Sequence, residues 1–260
     1  MRPFLVFVVW GFAMRTIDIH FAAKPNLDAR GSIVVVIDIL RATSTIVTAL
    51  GNGCRAILPV ANLNEAVSAA ARMKEVLLAG ERQAKKPAHF DLGNSPLEFS
   101  SDVVQGKTII LSTTNGTKAL RSIQNADEIL MASFLNFEAI TMYLGKSEKN
   151  VIFYCAGNDG AFSLEDTLCA ALLTHHLSTG RRDVHLSDAA QWNLRALRSL
   201  IPIPDVIREE EILAIVSQSE HARKLKKLQL DEDISYCCQL NRNRLIHFLD
   251  NSGSINAKKF

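Results

Sequence analysis

No GxxxxGK[ST] loop and no GxSxG elbow occurs in this chain, which excludes the usual P-loop nucleotide site and the usual serine-hydrolase nucleophile. Cysteine is scarce and badly spaced for chemistry. There are five, two of them adjacent as Cys237-Cys238, and none has the CxxC or Cys/His spacing of a zinc or redox centre. An odd number argues against a disulfide framework, leaves Cys54, Cys155 and Cys169 as small core residues, and points to a reduced cytosolic setting. Charge of one sign is lacking too: 29 Lys and Arg against 27 Asp and Glu leave +2, too little to recruit a nucleic acid. The basic run Arg223-Lys224 with Lys226-Lys227 reads as the solvated face of a late helix. The apolar segment 4–13 is too short to cross a bilayer. It looks like a signal-peptide core, yet Met14-Arg15-Thr16-Ile17-Asp18-Ile19 opens an ordinary alternating strand. Residues 1–13 are therefore expected to be a mis-assigned start or a loose extension rather than a secretion signal. Internal repeats and low-complexity segments are absent.

What the chain does have is apolar surface. At 48% of 260 residues it can bury a large core, as one α/β domain over 14–250 or as two lobes. Short β-branched runs at 17–21, 33–37, 56–60, 76–79, 108–111, 128–132, 151–155 and 245–249 predict strands. Helical patterns fall between them at 42–50, 63–74, 118–123, 137–144 and 164–177. Continuous apolar strands separated by helices predict a three-layer α/β/α fold around a largely parallel or mixed sheet. Beyond about residue 179, patterns at 187–200 and 209–228 predict a helical C-terminal cover, and 251–260 is expected to be a frayed tail. His175-His176, at a helix end, are expected to face solvent.

In open α/β sheets the ligand crevice lies past the carboxyl ends of strands. Polar clusters follow four of the predicted strands. Asp38, with Arg41 one turn on, follows 33–37; a strand-end carboxylate is a common magnesium ligand, and an arginine pairs with oxyanions in bidentate fashion. Gly80-Glu81-Arg82 follows 76–79, with Phe90-Asp91-Leu92-Gly93-Asn94-Ser95-Pro96 after it. Ser112-Thr113-Thr114-Asn115-Gly116-Thr117 follows 108–111 at a helix start, where unpaired N–H groups favour anions. Ser163-Leu164-Glu165-Asp166 comes after 151–155. Each cluster alone is also an ordinary turn or cap. Placed opposite Asp38 and Glu81, however, Glu165-Asp166 would build an all-oxygen site of the hard-cation kind. The mix suits Mg²⁺-assisted chemistry on a phosphate ester whose other end is also anionic. Asp38-Ile39-Leu40 lacks the second Asp of the haloacid-dehalogenase phosphatases.

Together, Val34-Val35-Val36-Ile37-Asp38-Ile39-Leu40-Arg41-Ala42-Thr43-Ser44-Thr45, Leu78-Ala79-Gly80-Glu81-Arg82, Phe90-Asp91-Leu92-Gly93-Asn94-Ser95-Pro96, Thr113-Thr114-Asn115-Gly116-Thr117 and Ser163-Leu164-Glu165-Asp166 resemble the 2-phosphosulfolactate phosphatase family. The resemblance runs from about residue 14 to residue 249. It implies a Mg²⁺-dependent enzyme that hydrolyses 2-phospho-3-sulfolactate to 3-sulfolactate and phosphate, a step of coenzyme M biosynthesis in methanogens. A phosphatase for another phosphorylated 2-hydroxy acid, or a non-catalytic anion-binding protein of the same fold, are the rival readings. On the family's pattern, Asp38, Glu81 and Asp166, with Glu165 beside them, would serve metal or water activation. Arg41 and Arg82 would hold the phosphoryl group and the sulfonate or carboxylate. Thr113, Thr114, Asn115, Gly116 and Thr117 would cradle phosphate, and Asn94 with Ser95 would complete the rim. The implied partner is this small anionic ester, with no nucleic acid and no membrane; a homo-oligomer stays open. The chain departs from the pattern where family members usually place glycine: Gln83-Ala84 follow Gly-Glu-Arg, His89 precedes the Phe-Asp-Leu-Gly-Asn-Ser-Pro motif, and Ala170-Ala171 lie in the helix after Asp166.

Overall fold

The computed structural model describes residues 14–201 and 206–260; the expectations for residues 1–13 lie outside them. In order, the described residues form β1 (Arg15–His20), β2 (Leu27–Asp28), β3 (Ser32–Ile37), α1 (Ala42–Gly51), β4 (Ala56–Pro59), α2 (Leu63–Ala70) and β5 (Val76–Gly80). After a short 3₁₀ turn at Pro96–Glu98 come α3 (Ser101–Val104), β6 (Thr108–Ser112), α4 (Gly116–Ser122), β7 (Ile123–Gln124) and β8 (Glu128–Ala132). Then follow α5 (Phe137–Gly145), β9 (Asn150–Cys155), α6 (Leu164–Ser178), β10 (Val184–Leu186) and α7 (Asp188–Leu200). The chain closes with α8 (Glu209–Val216), α9 (Glu220–Lys227), α10 (Asp231–Cys237), β11 (Leu245–Leu249) and β12 (Ile255–Lys259).

Among the described residues, ten strands make one mixed sheet in the order β10-β1-β9-β3-β8-β11-β12-β4-β6-β5, flanked by helices in the three-layer arrangement the sequence predicts. It consists of two parallel blocks, β10-β1-β9-β3-β8 and β4-β6-β5. The hairpin β11-β12 joins them through antiparallel pairs on both sides. All six residues of β3 are buried, as expected for a central strand covered on two faces. Ile33, Val35 and Ile37 pack with α5, α6 and α7, whereas Val34 and Val36 point the other way. That second core also holds Ile46 and Ala49 of α1, Ala119 and Leu120 of α4, and Ile109 and Leu111 of β6. In a flat sheet, five strand spacings would put β6 roughly 24 Å from β3. Yet a Cβ on Gly116, just after β6, would lie 3.0 Å from the Asp38 carboxylate just after β3. The sheet therefore curls along the hairpin, enclosing α1 and α4, and brings the ends of the two blocks together.

Three expectations change. Residues 251–260 are no frayed tail: Ile255 is fully buried and β12 pairs with β11 and β4. The alternation there is short and polar on one side, so nothing in its local pattern outweighs its position near the last residue. The helix expected over 209–228 is two helices, because Ser219 starts a new one by accepting the Ala222 amide at 3.0 Å. His175 is buried rather than solvent-facing, since α6 lies between α5 and α7; its ring meets His176 edge-on, and His176 meets Phe137.

Ile255 stands opposite Ile57 in the contact that links the hairpin to β4. Ile255→Ala should cost about 3 kcal/mol in chemical denaturation; a loss below about 1 kcal/mol would show that the sheet closes without this strand.

Candidate active site

The carboxyl ends of β3, β5, β6 and β9 converge on one cavity of about 290 Å³. Asp38 leaves β3 and is held at both ends of its residue. Its amide donates to Thr43 Oγ1 at 3.0 Å, and its Oδ1 accepts the Ala42 amide at 3.1 Å. It thus caps the start of α1 and lines the cavity at once. Gly116 is required beside it, because a Cβ there would meet Ala42 Cβ at 2.7 Å. The Leu40–Arg41 peptide is cis.

Glu81 leaves β5 and ties two loops. Its Oε1 accepts the Thr114 amide at 2.7 Å and its Oε2 the Ala84 amide at 2.8 Å. A backbone amide of the loop before α4 does hold an anion, and that anion is the protein's own carboxylate. Arg82 is pinned by neutral acceptors only: the Glu81 carbonyl at 2.6 Å, the Ser112 carbonyl at 3.0 Å and Ser112 Oγ at 2.8 Å. With no carboxylate bonded to it among the described residues, its charge stays available to a ligand.

The helical cover supplies groups that sequence reasoning missed. His221 and Lys224 of α9 line the cavity. His221 Nδ1 lies 3.5 Å from Oε1 of the buried Glu165. Asp233 of α10 takes Arg41 Nη1 at 2.5 Å on one oxygen and Ser95 Oγ at 2.5 Å on the other. Lys224 sits in the basic run expected to be wholly solvated, and Asp233 is one of three acids in the first turn of α10. Neither carries a local signal that sets it apart from its neighbours.

Of the residues expected at the site, Asp38, Arg41, Glu81, Arg82, Asn94, Thr113, Thr114 and Asn115 line this cavity. The others stand behind it. Ser95 bonds Asp233, and Gly116 lies under Asp38. Thr117 donates its hydroxyl to the Thr113 carbonyl at 2.7 Å. Glu165 backs His221. Asp166 uses both oxygens on backbone, accepting the Ile39 amide at 2.8 Å and the Gly157 amide at 3.2 Å. Arg41 is committed to Asp233 and to the Ala84 carbonyl at 3.0 Å.

Of the three carboxylates that line the cavity, Asp38, Glu81 and Asp159, the first two are pushed in opposite directions. Burial, with the negative charges of Glu81 and Glu165, raises Asp38 to about 6. Burial also opposes ionisation of Glu81, but the Thr114 and Ala84 amides and the Arg41 guanidinium outweigh it and hold Glu81 below the usual carboxylate range. Asp166 is raised well above that range by burial and by the Asp38 and Glu165 charges. Among the described residues, no group of three His, Cys, Asp or Glu side chains forms a metal cage. Mg²⁺ needs no such cage, because it keeps waters and takes one or two carboxylates together with phosphate oxygens. The donors fit that habit: Asp38 and Glu81 share the cavity with Asn94, whose buried Oδ1 has no hydrogen-bond partner among the described residues.

Gln83 and Ala84 form a two-residue turn closed by Arg82 and Lys85 hydrogen bonds, with φ of 54° and 64°. His89 has φ 66°. Glycine is the residue that the family resemblance leads one to expect at these places, and the backbone keeps the glycine conformation without it. Two positive φ angles are the type I′ geometry, in which L side chains are strained. Ala84→Gly should therefore raise stability by about 1 kcal/mol in equilibrium denaturation; a loss would show the turn to be relaxed as it stands.

Comparison with known proteins agrees with this geometry. A family model described as 2-phosphosulpholactate phosphatase matches residues 19–252. A Thermotoga petrophila protein named probable 2-phosphosulfolactate phosphatase is 45% identical over 221 residues, covering 85% of this chain and 89% of its own. A Clostridium perfringens protein of the same name is 41% identical over 216 residues, covering 82% and 83%. One from Caldanaerobacter subterraneus is 37% identical over 226 residues, covering 86% and 90%. With carboxylates, an unpaired arginine and a backbone-rich loop in one cavity, and this likeness over most of its length, the chain belongs to the 2-phosphosulpholactate phosphatase family.

Proposed function

We propose that the protein is a Mg²⁺-dependent phosphatase that hydrolyses 2-phospho-3-sulfolactate to 3-sulfolactate and phosphate. The observation that carries this reading is one cavity in which Asp38 and Glu81, displaced in opposite directions, stand with Asp159 and with Arg82, which bonds no carboxylate among the described residues. Transition states of phosphoryl transfer are loose, so positioning and charge provide most of the acceleration. Arg82 and Lys224 bring positive charge to the equatorial oxygens of the phosphoryl group, and the fixed backbone around Arg82 keeps it from rotating away. Glu81 stays ionised and holds the loops on both sides of the cavity. His221, with Glu165 behind its ring, is placed to give a proton to the leaving alkoxide oxygen. Asp38, Glu81 and the Asn94 amide oxygen would hold Mg²⁺, which when bound draws negative charge off the phosphoryl oxygens. The absence among the described residues of a helix long and apolar enough to cross a membrane fits an enzyme acting on a small dissolved ester.

Phosphate release from a panel of 2-phospho acids with sulfonate or carboxylate tails, with and without Mg²⁺, tests the reading. Release should need Mg²⁺ and, among three-carbon esters, be fastest with the sulfonate; no release from any member overturns it.

A stability measurement tests the metal site without turnover. Asp38 titrates at about 6 when folded and near 3.8 otherwise. Its favourable contribution is thus present below about pH 4 and lost as the pH rises through 6. Above that, the buried charge costs the metal-free fold about 3 kcal/mol. Asp38→Asn should stabilise the metal-free protein at pH 7.5 by up to this amount and give no gain at pH 4. Added Mg²⁺ should raise the melting temperature of the wild type and leave that of Asp38→Asn unchanged. Equal responses of the two proteins to Mg²⁺ would remove Asp38 from the metal site.

A further inference from the structure

Next to the catalytic cavity is a second, larger chamber of about 570 Å³ that the chemistry above does not use. Arg82, Thr113 and Thr114 border both and form the wall between them. Among the described residues, the ionisable side chains lining the second chamber are Lys24, Arg82, Lys118 and Arg121, with no carboxylate. Arg121 is paired with Glu65 at 3.4 Å, but Lys24 and Lys118 form no ion pair among the described residues. Ala23, Pro25 and Ala61 add apolar surface. Positive charge around a partly apolar hollow is the chemistry that receives an organic anion.

The chamber is also fixed in shape. One wall is the loop carrying Lys24, and another is the end of α4 with Arg121 and Ser122. Both are tied to one atom, the hydroxyl of the fully buried Tyr154. Lys24 N–H donates to it at 2.8 Å, the Lys24 carbonyl lies 2.8 Å from it, and Ser122 Oγ lies 2.8 Å from it. A hydroxyl bonded to both walls holds the hollow open without a ligand, and preorganisation of this kind lowers the cost of binding.

Resting on the phosphatase reading, we propose that this chamber seats the leaving-group end of the substrate. It would hold a carboxylate or sulfonate carried at the far end of a chain longer than three carbons, while the phosphoryl group occupies the first cavity. Arg82, in the shared wall, then lies between the two anionic ends of one extended molecule. A three-carbon acid fills only a small part of a space of about 570 Å³. The enzyme therefore accepts longer ω-anionic 2-phospho acids, and Lys24 and Lys118 set that preference.

The test uses the full chain and a series of 2-phospho acids with terminal carboxylates and three to seven carbons. Wild-type kcat/KM should be kept or rise with length, and Lys118→Met and Lys24→Met should each raise KM for the longer esters about tenfold with kcat unchanged. The three-carbon ester should be unaffected by either change. Free methanesulfonate separates a tail subsite from a site for an independent anion. Competition with the long esters alone supports the proposal, whereas activation or non-competitive inhibition of the three-carbon ester overturns it. Calorimetry with an unphosphorylated seven-carbon 2-hydroxy diacid gives a reading free of catalysis, and binding lost in the double lysine variant is the expected result. Hydrolysis of all esters without dependence on the two lysines defeats this inference and leaves the phosphatase reading standing. Binding of the diacid with no hydrolysis of any ester does the reverse.

Discussion

The pair formed by Arg41 and Asp233 joins the parts of this molecule that have least else in common. Both side chains are nearly inaccessible, at 3% and 2% exposure. Removing two charges from water is expensive, and their attraction compensates only when the remaining donors and acceptors are also satisfied. Here Arg41 also reaches the Ala84 carbonyl, and Asp233 also receives the Ser95 hydroxyl. One ion pair thereby fixes the loop after β3, the turn after β5, the entry to the Pro96–Glu98 turn and the helical cover. The cover is consequently not a lid resting on a finished site. It brings His221 and Lys224 to the cavity, and its position is set by a contact made beneath them.

Around that fixed point the cavity concentrates like charges. Asp38 is raised by burial and by the Glu81 and Glu165 charges, Asp166 by burial and by the Asp38 and Glu165 charges, while amides and Arg41 keep Glu81 low. Such crowding is unfavourable to folding and favourable to a cation, so stability and chemistry pull on Asp38 in opposite directions. Gly116 belongs to the same compromise: its missing side chain is the space that lets α4 approach this carboxylate.

Much of this was legible from residues alone. The apolar run Ile33–Ile37 announced a strand covered on both faces, and the strand-end clusters pointed to a common crevice for Asp38, Glu81, Arg82, Thr113, Thr114 and Asn115. The same logic could not distinguish a side chain that faces a ligand from one that faces backbone. Asp166 and Arg41 have the right chemistry and spend it internally, on amides and on Asp233. Asp233, His221 and Lys224 were invisible for the complementary reason: their helices have ordinary amphipathic or acidic starts, and only tertiary packing selects the residue that turns inward. The joining role of β12 was hidden likewise, because strand pairing across the chain leaves little trace in five residues.

The hairpin β11-β12 has a consequence for the order in which the protein can mature. During synthesis, β3 and β8 can pair, and β4, β5 and β6 can pair, as soon as each set has left the ribosome. Neither block can be docked on the other through the sheet until β12 emerges, and β12 follows every other described strand. The nascent chain would thus carry two half-sheets with open edges, and with them two incomplete halves of one active site. Chemistry in this enzyme waits on the hairpin that carries its last described strand and sits between β8 and β4.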